Sequence, residues 1–450
     1  MYIMSNLFKK RLKNQKKFII FIQYKTSGGN MYENIIGQNK VITLLRNDIE
    51  RGSLSNSMIF HGPTYSGKLT AALETVRVLN CSGDRSIGCQ CDNCQKIRSL
   101  NFEGMLFMSR RPFGCYIDSF VSSFEATGKM ETFDNLRRYI RLMFMSFSDN
   151  IANGAISDSD MNSIHKLQER AFEILEDNYD AYRSFKSLGA DTRQKLSDDL
   201  HALIGICEEI SDTFKKPSIP VDMIRNALDW SYINQPNINR VIIIDMADYL
   251  DDSSRNVLLK RLEEPSPSLF FILIAENKNR IIQTILSRCR CYFFGHNSKE
   301  ETAQILSQTF SESKQYESVE EYMLRNDETS YNNMLPTLIK VINYVFNFHH
   351  TFGELEAFLQ KNNDKKYAKA LVKNLSILIN RELLTRETDI NIVGNGDILR
   401  NVSTDDLTTL NKILSDTYTK MDIYNLTPVW ALEGIFYPIK SLVNTGKIKC

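Results

Sequence analysis

The sequence predicts an α/β protein: a parallel sheet covered by helices on both faces, followed by a wholly helical C-terminal part. Three observations carry this. Five short apolar runs alternate with stretches of helical periodicity. A phosphate-loop pattern follows the first run and opens a helix. After His296 the strand pattern stops and only helical patterns remain.

The runs are Ser57–Gly62, Met105–Ser109, Arg240–Ala247, Leu269–Glu276 and Cys291–Gly295. They are continuously apolar rather than alternating, as expected of strands buried on both faces. Between the second and third lies a long interval, Phe113–Lys216, whose periodicity is helical. Leu196, Leu200, Leu203, Ile204, Cys207 and Ile210 fall on one face of a helix, and Ile164, Leu167, Ala171, Ile174 and Leu175 on another. The interval reads as a helical insertion packed on itself. Beyond the last strand, Ser298 and Glu301 form a capping box that opens a helix. Leu335–Val345 continues the helical pattern, and Tyr367, Leu371, Leu375 and Leu378 share one face.

A chain of 450 residues with 42% hydrophobic and 24% charged side chains can fill a substantial core and reads as globular. Its net charge of +1 gives no overall attraction to nucleic acid, so any DNA contact needs a local basic surface or partner subunits. No apolar run reaches the ~18 residues of a membrane span, and the run Phe18–Ile22 is too short for a secretory signal core. A cytoplasmic protein is expected. Residues 1–30 are either a basic arm or precede the true start at Met31; the second reading is preferred.

In "HGPTYSGKLT", Gly62, Gly67 and Lys68 match G-x-x-x-x-G-K. Backbone N–H groups of such a loop, with the helix N-terminus behind it, surround phosphate oxygens, and the lysine reaches the β- and γ-phosphates. The next position should offer a hydroxyl to Mg²⁺, but here it is Leu69. Thr70 lies about 100° further round the helix and cannot simply substitute. In "RVIIIDMADYL" the apolar stretch of the third run leads into an acid, Asp245, placed to hold Mg²⁺. The residue after it is Met246, which cannot orient or deprotonate an attacking water. The site therefore reads as a degenerate ATP site, in which binding of ATP and Mg²⁺ is doubtful.

Of nine cysteines, Cys81, Cys89, Cys91 and Cys94 crowd into one stretch. Without a secretory signal, such clustering favours a metal over disulfides, and four thiolates close a tetrahedral structural Zn²⁺ site. The alternative is reduced, unliganded thiols. Cys115, Cys207, Cys289, Cys291 and Cys450 read as core or surface thiols.

From "IIGQ" at Ile35–Gln38, through the phosphate loop, to "NVLLKRLEEP" at Asn256–Pro265 and "TILSRC" at Thr284–Cys289, the chain resembles the AAA+ clamp-loader subunits of bacterial DNA polymerase III, in the family's order. "IPVDMIRNAL" at Ile219–Leu228 resembles the segment before the second carboxylate site. The resemblance covers most of residues 31–295; beyond them only helical character matches. It implies an AAA+ domain over 31–296 with a zinc module at 81–94 and the insertion at about 113–216, a helical lid over 297–334 and a C-terminal collar over 335–450. The family's zinc module ends in C-x-x-C-x-x-C, shortened here to Cys89-Gln-Cys91-Asp-Asn-Cys94.

In this family "SRC" carries an arginine finger, so the resemblance implies that Arg288 reaches the γ-phosphate held by a neighbouring subunit. The gamma/tau members are the motors, and the delta-prime member is a stator with a degenerate site and an intact "SRC". Leu69, Met246 and Arg288 fit the stator. The implied partners are gamma/tau and delta subunits in a hetero-oligomeric ring, the sliding clamp and, through the complex, primer-template DNA. A weakly active gamma-like ATPase and a clamp-loader-like adaptor of another complex are the alternatives.

Overall fold

The computed structural model describes residues 30–212, 218–232, 237–264, 266–323, 325, 331–346, 365–388, 402–423 and 427–444. The readings of the basic arm, the Phe18–Ile22 run and Cys450 lie outside these residues. The chain divides into two compact units between residues 323 and 324.

In the first unit, α1 (Asn39–Glu50), β1 (Ser57–His61), α2 (Lys68–Asn80), α3 (Asp92–Arg98) and β2 (Met105–Met108) come first. The helical interval follows as α4 (Phe113–Thr127), α5 (Met130–Met145), α6 (Asp149–Ala152), α7 (Asp158–Phe172), a π-turn at Glu173–Asp177, α8 (Tyr179–Arg183) and α9 (Ala190–Asp212). The unit ends with α10 (Val221–Trp230), β3 (Arg240–Ile244), α11 (Asp252–Glu263), β4 (Leu269–Ala275), α12 (Gln283–Leu286), β5 (Arg290–Phe293), α13 (Lys299–Phe310) and α14 (Val319–Met323).

The five expected strands form one parallel sheet in the order β2-β3-β4-β1-β5. Side chains alternate between its faces, as strand geometry requires. Met58, Phe60, Phe107, Val241, Ile243 and Ile272 enter one core, shared with α1, α2 and the helical interval. Ile59, Leu106, Ile242, Ile244, Phe271 and Leu273 enter the other, shared with α10 and α11. The third strand is shorter than its apolar run: it ends at Ile244, and Met246 adopts a left-handed conformation (φ 58°) that turns the chain off the sheet.

The helical interval does pack on itself. Leu196, Leu200, Leu203, Cys207 and Ile210 of α9 are buried, as are Ile164, Leu167 and Ala171 of α7. A buried charge cluster pins it: Arg137 pairs with Asp134 (3.1 Å) and with Glu176 of the π-turn, to which Arg141 also donates at 3.0 Å. The capping box at Ser298 and Glu301 is present and starts α13. This helix packs on the interval: Phe310 stacks on Phe120 with centroids 4.6 Å apart, and its carbonyl accepts from the Ser123 hydroxyl.

The second unit contains α15 (Tyr331–Phe346), α16 (Lys365–Thr388), α17 (Thr404–Ile423) and α18 (Pro428–Asn444). Leu338, Leu371, Leu407, Leu432 and Ile435 make its core. No helix among the described residues is long and apolar enough to cross a membrane.

Candidate functional site

The phosphate loop joins β1 to α2 and needs its glycines for different reasons. Gly62 has φ 142°, and a Cβ there would lie 2.0 Å from the Phe294 carbonyl oxygen. Gly67 sits at φ 89° immediately before α2, a conformation side chains rarely adopt. Lys68 is buried and donates to the loop's own carbonyls, Gly62 at 2.7 Å and Pro63, and to Ser66 Oγ at 3.3 Å. Burial pushes the Lys68 ammonium down to about 8, against the pull of Glu276 and Asp245.

The loop opens on a cavity of about 270 Å³. Gly67, Lys68, Leu69, Asp245 and Met246 all line it, so the expected loop and strand-end residues do converge. Gly62 is not among the lining residues; its part is to let the loop pass against Phe294. Asp248 is buried outside the cavity lining and accepts from the Asn277 backbone N–H at 3.2 Å. The "IIGQ" segment has a mechanical part: the Gln38 side chain donates to Gly295 O and Asn297 Oδ1, both at 3.1 Å, and accepts from Gly295 N at 2.9 Å. It thereby ties the start of α1 to the exit of β5.

Two charged lining residues escaped the sequence reading. Glu276, at the end of β4, is raised above the ordinary carboxylate range by burial, although Lys68 pulls the other way. Arg111, three residues beyond β2, forms a two-pronged ion pair with Asp245: Nε to Oδ2 at 2.8 Å and Nη2 to Oδ1 at 3.0 Å. The Ser109 hydroxyl adds a third bond to Oδ2 at 2.7 Å. Sheet register explains the meeting. Met108 pairs with Ile244, so Ser109 and Asp245 leave the sheet side by side. Part of the wall is aromatic: Tyr65 of the loop contacts Tyr116 (5.6 Å between centroids), which stacks on Tyr139 (5.1 Å).

Arg288 is not part of this cavity. It lies just after α12, half-buried, where it donates to Thr284 O at 2.7 Å and pairs with Glu263 at the end of α11.

The four clustered cysteines do converge: their sulfurs all lie within 4.8 Å of one another. Cys81 Sγ is 3.5 Å from that of Cys89 and 4.0 Å from that of Cys91. A tetrahedral zinc with Zn–S near 2.3 Å has sulfur edges of about 3.8 Å, so the set fits the ion. Gly83 permits the closure, since a Cβ there would meet Cys89 Sγ at 2.7 Å, and its N–H donates to Cys81 Sγ at 3.3 Å.

Comparison with known proteins bears on this geometry. The sequence profile of the family described as "DNA polymerase III, delta subunit" matches residues 37–140 and 189–298. The matched segments contain the phosphate loop, Arg111, Asp245, Met246, Glu276 and the cysteine cluster, and they omit residues 141–188, inside the helical interval. Among curated relatives, the DNA polymerase III subunit delta′ of Haemophilus influenzae is 36% identical over 75 residues, 16% of this chain and 23% of the relative. The delta′ subunit of Bacillus subtilis is 22% identical over 56% of this chain and 46% of its own length. The gamma/tau subunit of Mycoplasma genitalium is 23% identical over 58% of this chain and 27% of its own length. The chain thus spans about a quarter to a half of the length of these relatives. Over these segments the chain matches the DNA polymerase III clamp-loader family.

Proposed function

We propose that this chain is a delta-prime-type clamp-loader subunit: a stator that does not hydrolyse ATP, closes the ring and offers Arg288 to the nucleotide of an adjacent gamma/tau motor. The observation that carries the reading is the pair of side chains at the two demanding positions of the cavity. Leu69 lines it where a hydroxyl must hold the metal, and Met246 lines it where a carboxylate must orient water. Asp248 gives no substitute, because its carboxylate sits outside the lining. Arg288 supports the second half of the reading: it lies away from its own chain's cavity, as a residue acting in trans should. Its bond to Glu263 then exchanges for the partner's γ-phosphate, whose greater charge a fixed guanidinium matches. The cysteine cluster holds a structural zinc, a closed four-thiolate site with no open position for chemistry. Partners are the motor and delta subunits, the sliding clamp and primed DNA.

The test is reconstitution of the ring with motor and delta subunits, reading DNA-stimulated ATPase. The wild-type chain should raise it. Arg288→Ala should assemble equally well and lower the rate several-fold, since a finger supplied in trans contributes orders of magnitude at its own interface. An unchanged rate with Arg288→Ala counts against the finger. Normal assembly failing with wild-type chain and intact motors would favour an adaptor of another complex.

A further inference from the structure

A phosphate loop of this family implies a magnesium ion held between the residue after the lysine, the strand-end aspartate and the phosphates. The residues present do not fit that ion. We propose that Arg111 stands in its place: the guanidinium is a tethered counter-charge to Asp245, and the cavity takes no divalent metal.

Three of the roughly four acceptor positions of the Asp245 carboxylate are taken. Oδ1 accepts from Arg111 Nη2, and Oδ2 accepts from Arg111 Nε and from Ser109 Oγ. Magnesium needs near-octahedral oxygen ligands at about 2.0–2.1 Å. An ion on the position left at Oδ1 would share its carboxylate with a guanidinium whose nitrogens lie 2.8–3.0 Å from the same group, and would add a double positive charge beside a single one. Leu69 supplies no oxygen. The Ser109 hydroxyl is committed on both sides, since it accepts from the Arg111 backbone N–H at 3.0 Å.

The guanidinium is also built in rather than swung in. Its backbone is fixed through Ser109, and it lies 5.4 Å from the centroid of the Tyr116 ring, itself stacked on Tyr139. Asp245 is fully buried. A buried carboxylate needs a partner of opposite charge, and arginine, charged at every working pH and planar like the carboxylate, meets the need permanently. The loss of the hydroxyl at position 69 and the presence of Arg111 are then two sides of one change. The consequence is specific: restoring Leu69→Thr and Met246→Glu alone leaves Asp245 occupied and does not restore a metal site.

This inference goes beyond the stator reading and concerns the isolated chain, so its failure and that of the ring assignment are separable. The experiment uses purified full-length protein, Mn²⁺ as probe by electron paramagnetic resonance, and thermal unfolding with and without millimolar Mg²⁺. Wild type should show no Mn²⁺ signal that Asp245→Asn removes, and no response of Tm to Mg²⁺. Arg111→Ala should lower Tm by roughly 6–15 °C, as expected for an unpaired buried charge. It should recover most of that loss with Mg²⁺ and gain a Mn²⁺ site. Arg111→Ala/Asp245→Asn should have neither property. Arg111→Gln, which keeps hydrogen bonds without charge, serves if the alanine variant does not fold. An Asp245-dependent Mn²⁺ site in wild type overturns the proposal, as does a folded Arg111 variant that gains none.

Discussion

Arg77, near the end of the helix that follows the phosphate loop, points its guanidinium at Cys94: Nη1 donates to Sγ at 3.3 Å, while Nε and Nη2 hold Glu74 at 2.8 and 2.5 Å. Arg77 is almost wholly buried, so the charge is shared between a carboxylate and the cysteine cluster with little help from water. The cluster and the loop helix are therefore one mechanical piece.

Two consequences are measurable. Arg77→Met leaves Glu74 buried with little beyond the Tyr32 N–H and should cost about 3–5 kcal/mol by denaturant unfolding. Metal analysis should find one zinc per wild-type chain, and chelation or Cys94→Ser should lower Tm, with the strand–loop–helix region losing amide protection. A metal-free protein of unchanged Tm would count against the zinc site.

Gly62→Ala should be among the most damaging small substitutions in the chain. The new Cβ would stand 2.0 Å from Phe294 O, where backbone and not a flexible side chain must yield, at a φ that alanine rarely adopts. A loss of about 3 kcal/mol or more is expected. A neutral effect would mean that the exit of β5 is not held where it is described.

Lys68 gives a pH signature. Its ammonium sits at about 8 in the folded chain because burial disfavours the charge, below the ~10.4 of an unfolded lysine. Between those values the unfolded state binds more protons, so this group's contribution to stability rises with pH. At pH 7 the charged lysine is a burden of up to about 3 kcal/mol, fading by pH 10. Lys68→Met should therefore stabilise the chain most near neutrality, and its advantage over wild type should shrink between pH 8 and pH 10. An advantage independent of pH would refute the assignment.

What the sequence made legible follows from what a residue's own identity decides. The five strands announced themselves because a run such as "RVIII" at Arg240–Ile244 is apolar on both faces. Leu69 and Met246 could be read at once, because each lacks the oxygen its position needs. Arg111 could not be read. Its meeting with Asp245 depends on the pairing of Met108 with Ile244, which brings together residues 134 apart in the chain. The docking of Phe310 on Phe120 was equally hidden, since the helical interval and the helix after the sheet show compatible apolar faces but not their register. Identity is local, while register and docking are set by packing across the whole unit.

The central claim is a cavity shaped for phosphate whose chemistry is missing, and ATP turnover by the purified chain alone tests it most directly, with Lys68→Ala as the blank. The account predicts no turnover above that blank, with or without DNA. Hydrolysis at the rate of an AAA+ motor, abolished by Lys68→Ala, would contradict it.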